Sequence, residues 1–183
     1  MRNLKRAWLP AAALWSALFA TSLAAAADTP DKQRVRPALA AGSAPHDDLG
    51  RDIKGDAIRL SDHVGKVVIV SFWASWCEPC KKELPVLAGL AQRVGPDHMK
   101  IIAINFHDDP ERFRAVVKIL KDYPITMLRD ANSRAAKKYD VRAIPRMIII
   151  GRDGKVASDH TGYGEGSLPG FIEELNQLLA QKT

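Results

Sequence analysis

Hydrophobic positions change period several times along this chain, and each change marks an element. Lys66-Val-Val-Ile-Val-Ser-Phe-Trp73 is a run of β-branched and aromatic residues, the pattern of a strand buried on both faces. Lys100-Ile-Ile-Ala-Ile-Asn105 is a second such run. Between them, residues 81–93 read as a helix containing Pro85, which should kink it. Asp109 and Pro110 then supply an N-cap and a first-turn proline. Phe113, Val116, Val117 and Leu120 follow at i, i+3, i+4 and i+7, so this helix should lay one face on a sheet. Ile125 to Leu128 reads as a short strand and Asn132 to Lys138 as a short helix. Arg146 to Ile150 and Lys155 to Asp159 flank Gly151-Arg-Asp-Gly154, a hairpin by its Asp-Gly signal. Ser167 should cap a last helix that buries Phe171, Leu175, Leu178 and Leu179. Upstream, Gly50 to Leu60 alternates loosely around Lys54-Gly55-Asp56, a hairpin-like turn. Strand–helix alternation closing on a hairpin and a helix predicts an α/β domain, a mixed central sheet flanked by helices.

The amino terminus follows a different logic. Met1 to Arg6 is short and cationic, Ala7 to Ala20 is apolar apart from Pro10 and Ser16, and Ala25-Ala26-Ala27 offers an A-x-A site. Residues 1–27 therefore read as a secretory signal peptide. The alternative is an uncleaved membrane anchor, since Ala7 to Ala27 is long enough to span. Residues 28–45 contain Pro30, Pro37 and Pro45 with no sustained apolar period, and are expected to be a flexible linker. The domain itself is expected over residues 46–183. Export would place it in a periplasm or other oxidising compartment, where a cysteine pair must be explained.

Composition narrows the function. With 46% hydrophobic and 26% charged residues, the chain is ordinary globular material, not a disordered, collagenous or multi-span protein. The net charge of +6 hints at nucleic acid, but three of the 27 basic residues lie in the leader. From Asp28 onward, 24 basic residues face 21 acidic ones with no long basic block, so no nucleic-acid partner is expected.

The candidate chemistry is Trp76-Cys77-Glu78-Pro79-Cys80, directly after a buried strand and directly before a helix. A sulfur on a first helical turn faces unpaired N–H groups and the positive end of the dipole, which favour thiolate over thiol. Two intervening residues bring the second sulfur within disulfide reach, and Pro79 suits a first turn. A purely structural bridge closing so short a loop would stabilise by only about 2 kcal/mol. A metal site would need more ligands, and none of His46, His63, His98, His107 or His160 forms a ligand-spaced pair. Haem attachment would need histidine after Cys80, where Lys81 stands. The placement favours thiol–disulfide exchange, with a copper-handling role for the cysteine pair as the second reading.

Phe72-Trp-Ala-Ser-Trp-Cys-Glu-Pro-Cys-Lys-Lys-Glu-Leu-Pro85 resembles the exported thioredoxin-like thiol–disulfide oxidoreductases of the TlpA/ResA type, and the resemblance extends from about His46 to Leu179. It implies a thioredoxin-like fold with an N-terminal β-hairpin and an inserted helix–strand segment near Pro110 to Leu128. Tyr139-Asp-Val-Arg-Ala-Ile-Pro145 is similar to the family segment that ends in a cis-proline beside the disulfide. By position, Cys77 would be the attacking cysteine, Cys80 the resolving one, and Ile144, Pro145 and Arg146 a client-binding edge. The resemblance implies no cofactor beyond the Cys77–Cys80 disulfide itself. It further implies disulfide-bearing client proteins such as apocytochrome c or copper-site proteins, and a membrane thiol reductant as electron donor; separately, a monomer is the expected state. Trp73 is expected in the core, and Trp76 at the surface shaping the approach to Cys77.

Three positions depart from the pattern. Thioredoxin has a buried aspartate where Ser71 stands, so a proton acceptor must lie elsewhere or be water. Asp108 falls near the place of a glutamate in exported relatives, and is either that acceptor or a solvated loop residue. Arg146 replaces the usual threonine, as a surface charge or as a group favouring acidic clients and the Cys77 thiolate.

Overall fold

The computed structural model describes residues 39–181. The expected signal peptide, residues 1–27, and most of the expected linker lie outside them. An antiparallel hairpin of β1 (Asp48–Arg51) and β2 (Ala57–Arg59) comes first. Then follow β3 (Val67–Trp73), α1 (Glu78–Val94), β4 (Met99–Phe106), α2 (Pro110–Leu120), β5 (Ile125–Asp130) and α3 (Arg134–Lys138). The chain ends with β6 (Arg146–Ile150), β7 (Val156–Thr161) and α4 (Leu168–Ala180).

One mixed sheet runs in the order β5-β4-β3-β6-β7. Strands β3, β4 and β5 are mutually parallel, while β6 and β7 are antiparallel additions. The run 67–73 forms the central strand because every one of its residues is buried, as an apolar run bounded by polar ends demands. Its alternate side chains feed two layers. Val68, Val70 and Phe72 pack with Leu49, Leu60, Ala135, Ala136 and Tyr139, under the hairpin and α3. Val67, Ile69 and Trp73 face α1, α2 and α4 through Leu84, Leu87, Phe113 and Leu175. Ser71 shares this second face.

Local signals explain the element ends. Asp109 caps α2, accepting from the N–H groups of Glu111 and Arg112 at 2.9 Å. The Gly151–Gly154 turn joins β6 and β7, with Gly154 at φ 77° where a side chain would be strained. Helix α1 continues through Pro85 to Val94. Ser167 is where the expectation differs. Its hydroxyl donates to the Gly164 carbonyl at 2.6 Å and makes no cap bond to α4, whose second residue is proline.

The tail of the expected linker is also not free. Gly42 donates to the Val156 carbonyl at 2.7 Å, Val156 donates to Ser43 at 2.9 Å, and Leu39 packs on the core. Backbone groups along the outer edge of β7 supply partners that its sparse apolar content could not forecast. On the opposite edge, Asp52 makes a single antiparallel bridge to Leu128 of β5.

Candidate active site

Because β3, β4 and β5 are parallel, their carboxyl ends share one edge of the sheet. Arg146 at the start of β6 pairs with Phe72, so the loop before β6 reaches the same edge. Open parallel sheets bind their ligands at that edge. Here it collects Cys77 after β3, Asp108 after β4 and Pro145 before β6.

Cys77 and Cys80 form a disulfide with an S–S distance of 2.06 Å and a Cα–Cα distance of 5.3 Å. Cys77 is the N-cap of α1, and its sulfur accepts the Cys80 N–H at 3.3 Å. The reactive atom thus serves one of the orphan donors that every helix start leaves. Cys80 is wholly buried, and Cys77 is 5% exposed. Pro79 sits in the first turn, where its missing N–H costs nothing. Glu78 is exposed and ion-paired with Lys81 at 2.6 Å. Trp76 stands 52% exposed beside the sulfurs, while Trp73 is buried against Phe113.

The Ile144–Pro145 bond is cis. Ile144 packs into the apolar cluster that contains Cys77, Cys80, Trp73 and Ala74. The Pro145 carbonyl accepts from the Gly162 N–H at 2.8 Å.

Asp108 is buried, not a solvated loop residue. One carboxylate oxygen accepts from the Ser75 N–H at 2.8 Å and from the Asn105 side-chain amide at 2.7 Å; the other accepts the Ser75 hydroxyl at 2.9 Å. Its carbonyl accepts from Arg129. Asp108 therefore clamps the turn that carries Trp76 and Cys77.

Arg146 is buried as well and cannot act as a surface charge. Its Nε and Nη2 donate to the two oxygens of Asp159 at 2.9 and 2.6 Å, and Nη1 donates to the carbonyls of Tyr139 and Asp140. Asp159 also accepts the Leu39 N–H at 2.7 Å. Burial pushes the Asp159 carboxyl up, but the Arg146 fork and the Leu39 donor outweigh it and hold the group below its ordinary value.

One residue escaped the sequence reading. Ser71 donates its hydroxyl to Glu83 at 2.7 Å, so α1 delivers a carboxyl to the place where Ser71 left none. Burial pushes Glu83 up from 4.5 to about 6, against the opposing Ser71 hydrogen bond and the charge of His160. Glu83 lies three residues after Cys80 and so on the same helical face. It also lines a cavity of about 770 Å³ with Met147, His160 and Phe171. The signal was present: a glutamate at 83 interrupts the buried stripe of Cys80, Leu84, Leu87, Ala88 and Ala91. Among the described residues, no group of three or more His, Cys, Asp or Glu could hold a metal ion.

Residues 41–159 match the AhpC/TSA family. The chain is 34% identical to the thiol-disulfide oxidoreductase ResA of Bacillus subtilis over 113 residues, covering 61% of this chain and 62% of that protein, under two thirds of its length. It is 31% identical to ResA of Geobacillus kaustophilus over 129 residues, covering 69% of this chain and 72% of that protein. Among solved structures, a thioredoxin-family thiol:disulfide interchange protein from Chlorobium tepidum superposes with a TM-score of 0.64 at 19% identity, covering 78% of this chain and all 100% of that one. StoA from Bacillus subtilis superposes with a TM-score of 0.58 at 24% identity, over 76% of this chain and 99% of that one. At those identities the two structures speak for the thioredoxin-like fold alone. The sequence matches carry the affiliation further, and the chain belongs to the AhpC/TSA family and to the ResA-type group within it.

Proposed function

We propose that this chain is an exported dithiol reductase of client protein disulfides. The observation that carries the reading is the division between the two sulfurs. Cys77 holds the outer position as helix N-cap, and Cys80 is buried one turn behind it. In the reduced protein the Cys77 thiolate attacks one sulfur of a client disulfide and expels the other client sulfur as a thiolate. Cys80 then attacks Cys77 Sγ, releasing the second client thiolate and leaving the Cys77–Cys80 disulfide. Two electrons pass to the client, and a membrane thiol reductant returns them. Glu83, poised near 6 and on the Cys80 side of the helix, is suited to take the Cys80 proton in the resolving step. Ile144 and Pro145 offer the edge on which an extended client lies, with Trp76 exposed next to Cys77 in the chain. Clients with paired cysteines at haem or copper sites fit this chemistry, and the leader at 1–27 supports work in a periplasm, free or anchored.

Trapping in the exporting cell tests the reading. Cys80→Ser should accumulate covalent client adducts that vanish on reduction, while Cys77→Ser should accumulate few or none. Equal trapping by both variants would overturn the division of roles. Trapping by neither, with stoichiometric copper binding by the reduced parent, would favour a metal-handling protein.

A further inference from the structure

Arg146 follows the last residue of the loop from Tyr139 to Pro145, and its side chain holds the first two. Arg146 enters the sheet through its backbone, paired with Phe72 on one side and Thr161 on the other. Its guanidinium turns back beneath the loop, and Nη1 donates to the carbonyls of Tyr139 and Asp140, the two residues with which the loop begins. Asp140 adopts φ 50°, a left-handed conformation uncommon for a non-glycine residue, though aspartate enters it more readily than most. Asp159 on β7 holds the guanidinium in a two-pronged fork, and the side chains of the pair are only 9% and 1% exposed. Leu39 adds a third donor to Asp159 from the amino-terminal segment. The far end of the loop is fixed by Gly162 on the Pro145 carbonyl and by Ile144 against the Cys77–Cys80 cluster.

A buried ion pair is a weak device for stability, because well-packed apolar residues of similar volume often do as well. It is a strong device for geometry, since a fork and two carbonyls fix position and angle together. We infer that Arg146 and Asp159 are positioning residues for exchange with protein disulfides, setting the 139–145 loop so that a bound client meets Cys77 in line. The side-chain polar contacts of the two residues run to Tyr139, Asp140, Leu39 and each other. The inference rests on the reductase reading above, and it requires a substrate that lies along the loop. Iodoacetamide and glutathione are short beside an extended protein client, so their reaction should depend on that edge far less.

The test uses the full-length reduced chain with three reagents: iodoacetamide, oxidised glutathione, and insulin as the protein disulfide. Arg146→Lys keeps the charge but loses the fork; Arg146→Met with Asp159→Leu removes the pair without stranding a buried charge. Both variants should react with iodoacetamide and glutathione as the parent does. With insulin they should lose about tenfold in kcat/KM, the scale expected of a small misplacement in a bound substrate. Unchanged insulin reduction in folded variants would overturn the positioning role and leave the reductase reading standing. A parallel fall with all three reagents would also overturn it, because the disulfide itself would then be disturbed. A parent that exchanges with neither glutathione nor insulin would take down the reductase reading and this inference with it.

Discussion

Two buried carboxylates belong to the segments around the disulfide, Asp108 bonded to the turn before Cys77 and Glu83 three residues after Cys80, and they are satisfied very differently. Asp108, in the loop after β4, receives three donors from Ser75 and Asn105. Glu83, inside α1, receives one from Ser71. Burial is similar, with relative exposures of 7% and 3%, so exposure does not separate them; the number of donors does. A carboxylate filled with hydrogen bonds is an anchor whose removal strands its donors. One with a single donor in a desolvated site is free to change its protonation. Asp108 thus serves as a clamp on the turn before Cys77, while burial raises Glu83 to about 6.

The sharpest way to break this contrast is Asp108→Ala. It leaves the Ser75 N–H, the Ser75 hydroxyl and the Asn105 amide without their acceptor, and should cost about 3 kcal/mol of stability in urea unfolding of the oxidised protein. A cost below about 1 kcal/mol would show that the clamp is ornamental.

Glu83→Gln should act in the opposite direction. The folded chain holds this proton more tightly than the unfolded chain does, with the group at about 6 instead of 4.5. Stability from this site is therefore full below 4.5, falls as the pH rises to 6, and stays lower beyond, a loss of about 2 kcal/mol. Glutamine keeps an acceptor for Ser71 and does not ionise. The variant should gain up to about 2 kcal/mol at neutral pH, little at pH 4, and resolve mixed disulfides more slowly. An equal gain at both pH values would mean that packing, not ionisation, explains it.

The smallest effect belongs to the exposed neighbour. Lys81→Ala breaks the Glu78 pair, whose side chains are 52% and 78% exposed, and should change stability by less than about 0.5 kcal/mol. Salt titration of parent and variant would show the difference vanish.

Much of this was legible in the chain itself. The apolar runs gave β3 and β4, Asp109-Pro110 gave the start of α2, and Asp-Gly gave the β6–β7 hairpin, because each depends on neighbours in sequence. The Cys-Glu-Pro-Cys turn was readable from its motif, and the cis bond before Pro145 from the family resemblance. What stayed hidden were pairings across the fold. Ser71 meets Glu83 twelve residues on, across a strand–helix interface, and Arg146 meets Asp159 across a strand pair. A polar residue alone does not announce which way it faces. Arg146 looked like a client contact only because its partner was on another strand.

The two thin contacts that flank the sheet carry a consequence for life at high concentration. A five-stranded sheet ending in β5 and β7 offers two rows of unpaired backbone groups, each a template on which a second chain could build. Here residues 42 and 43 clasp Val156 on one row, and Asp52 meets Leu128 on the other. Each blocks a continuous ladder with a stretch of chain that never becomes a full strand. Such stoppers make strand addition between copies of this protein the less favourable encounter.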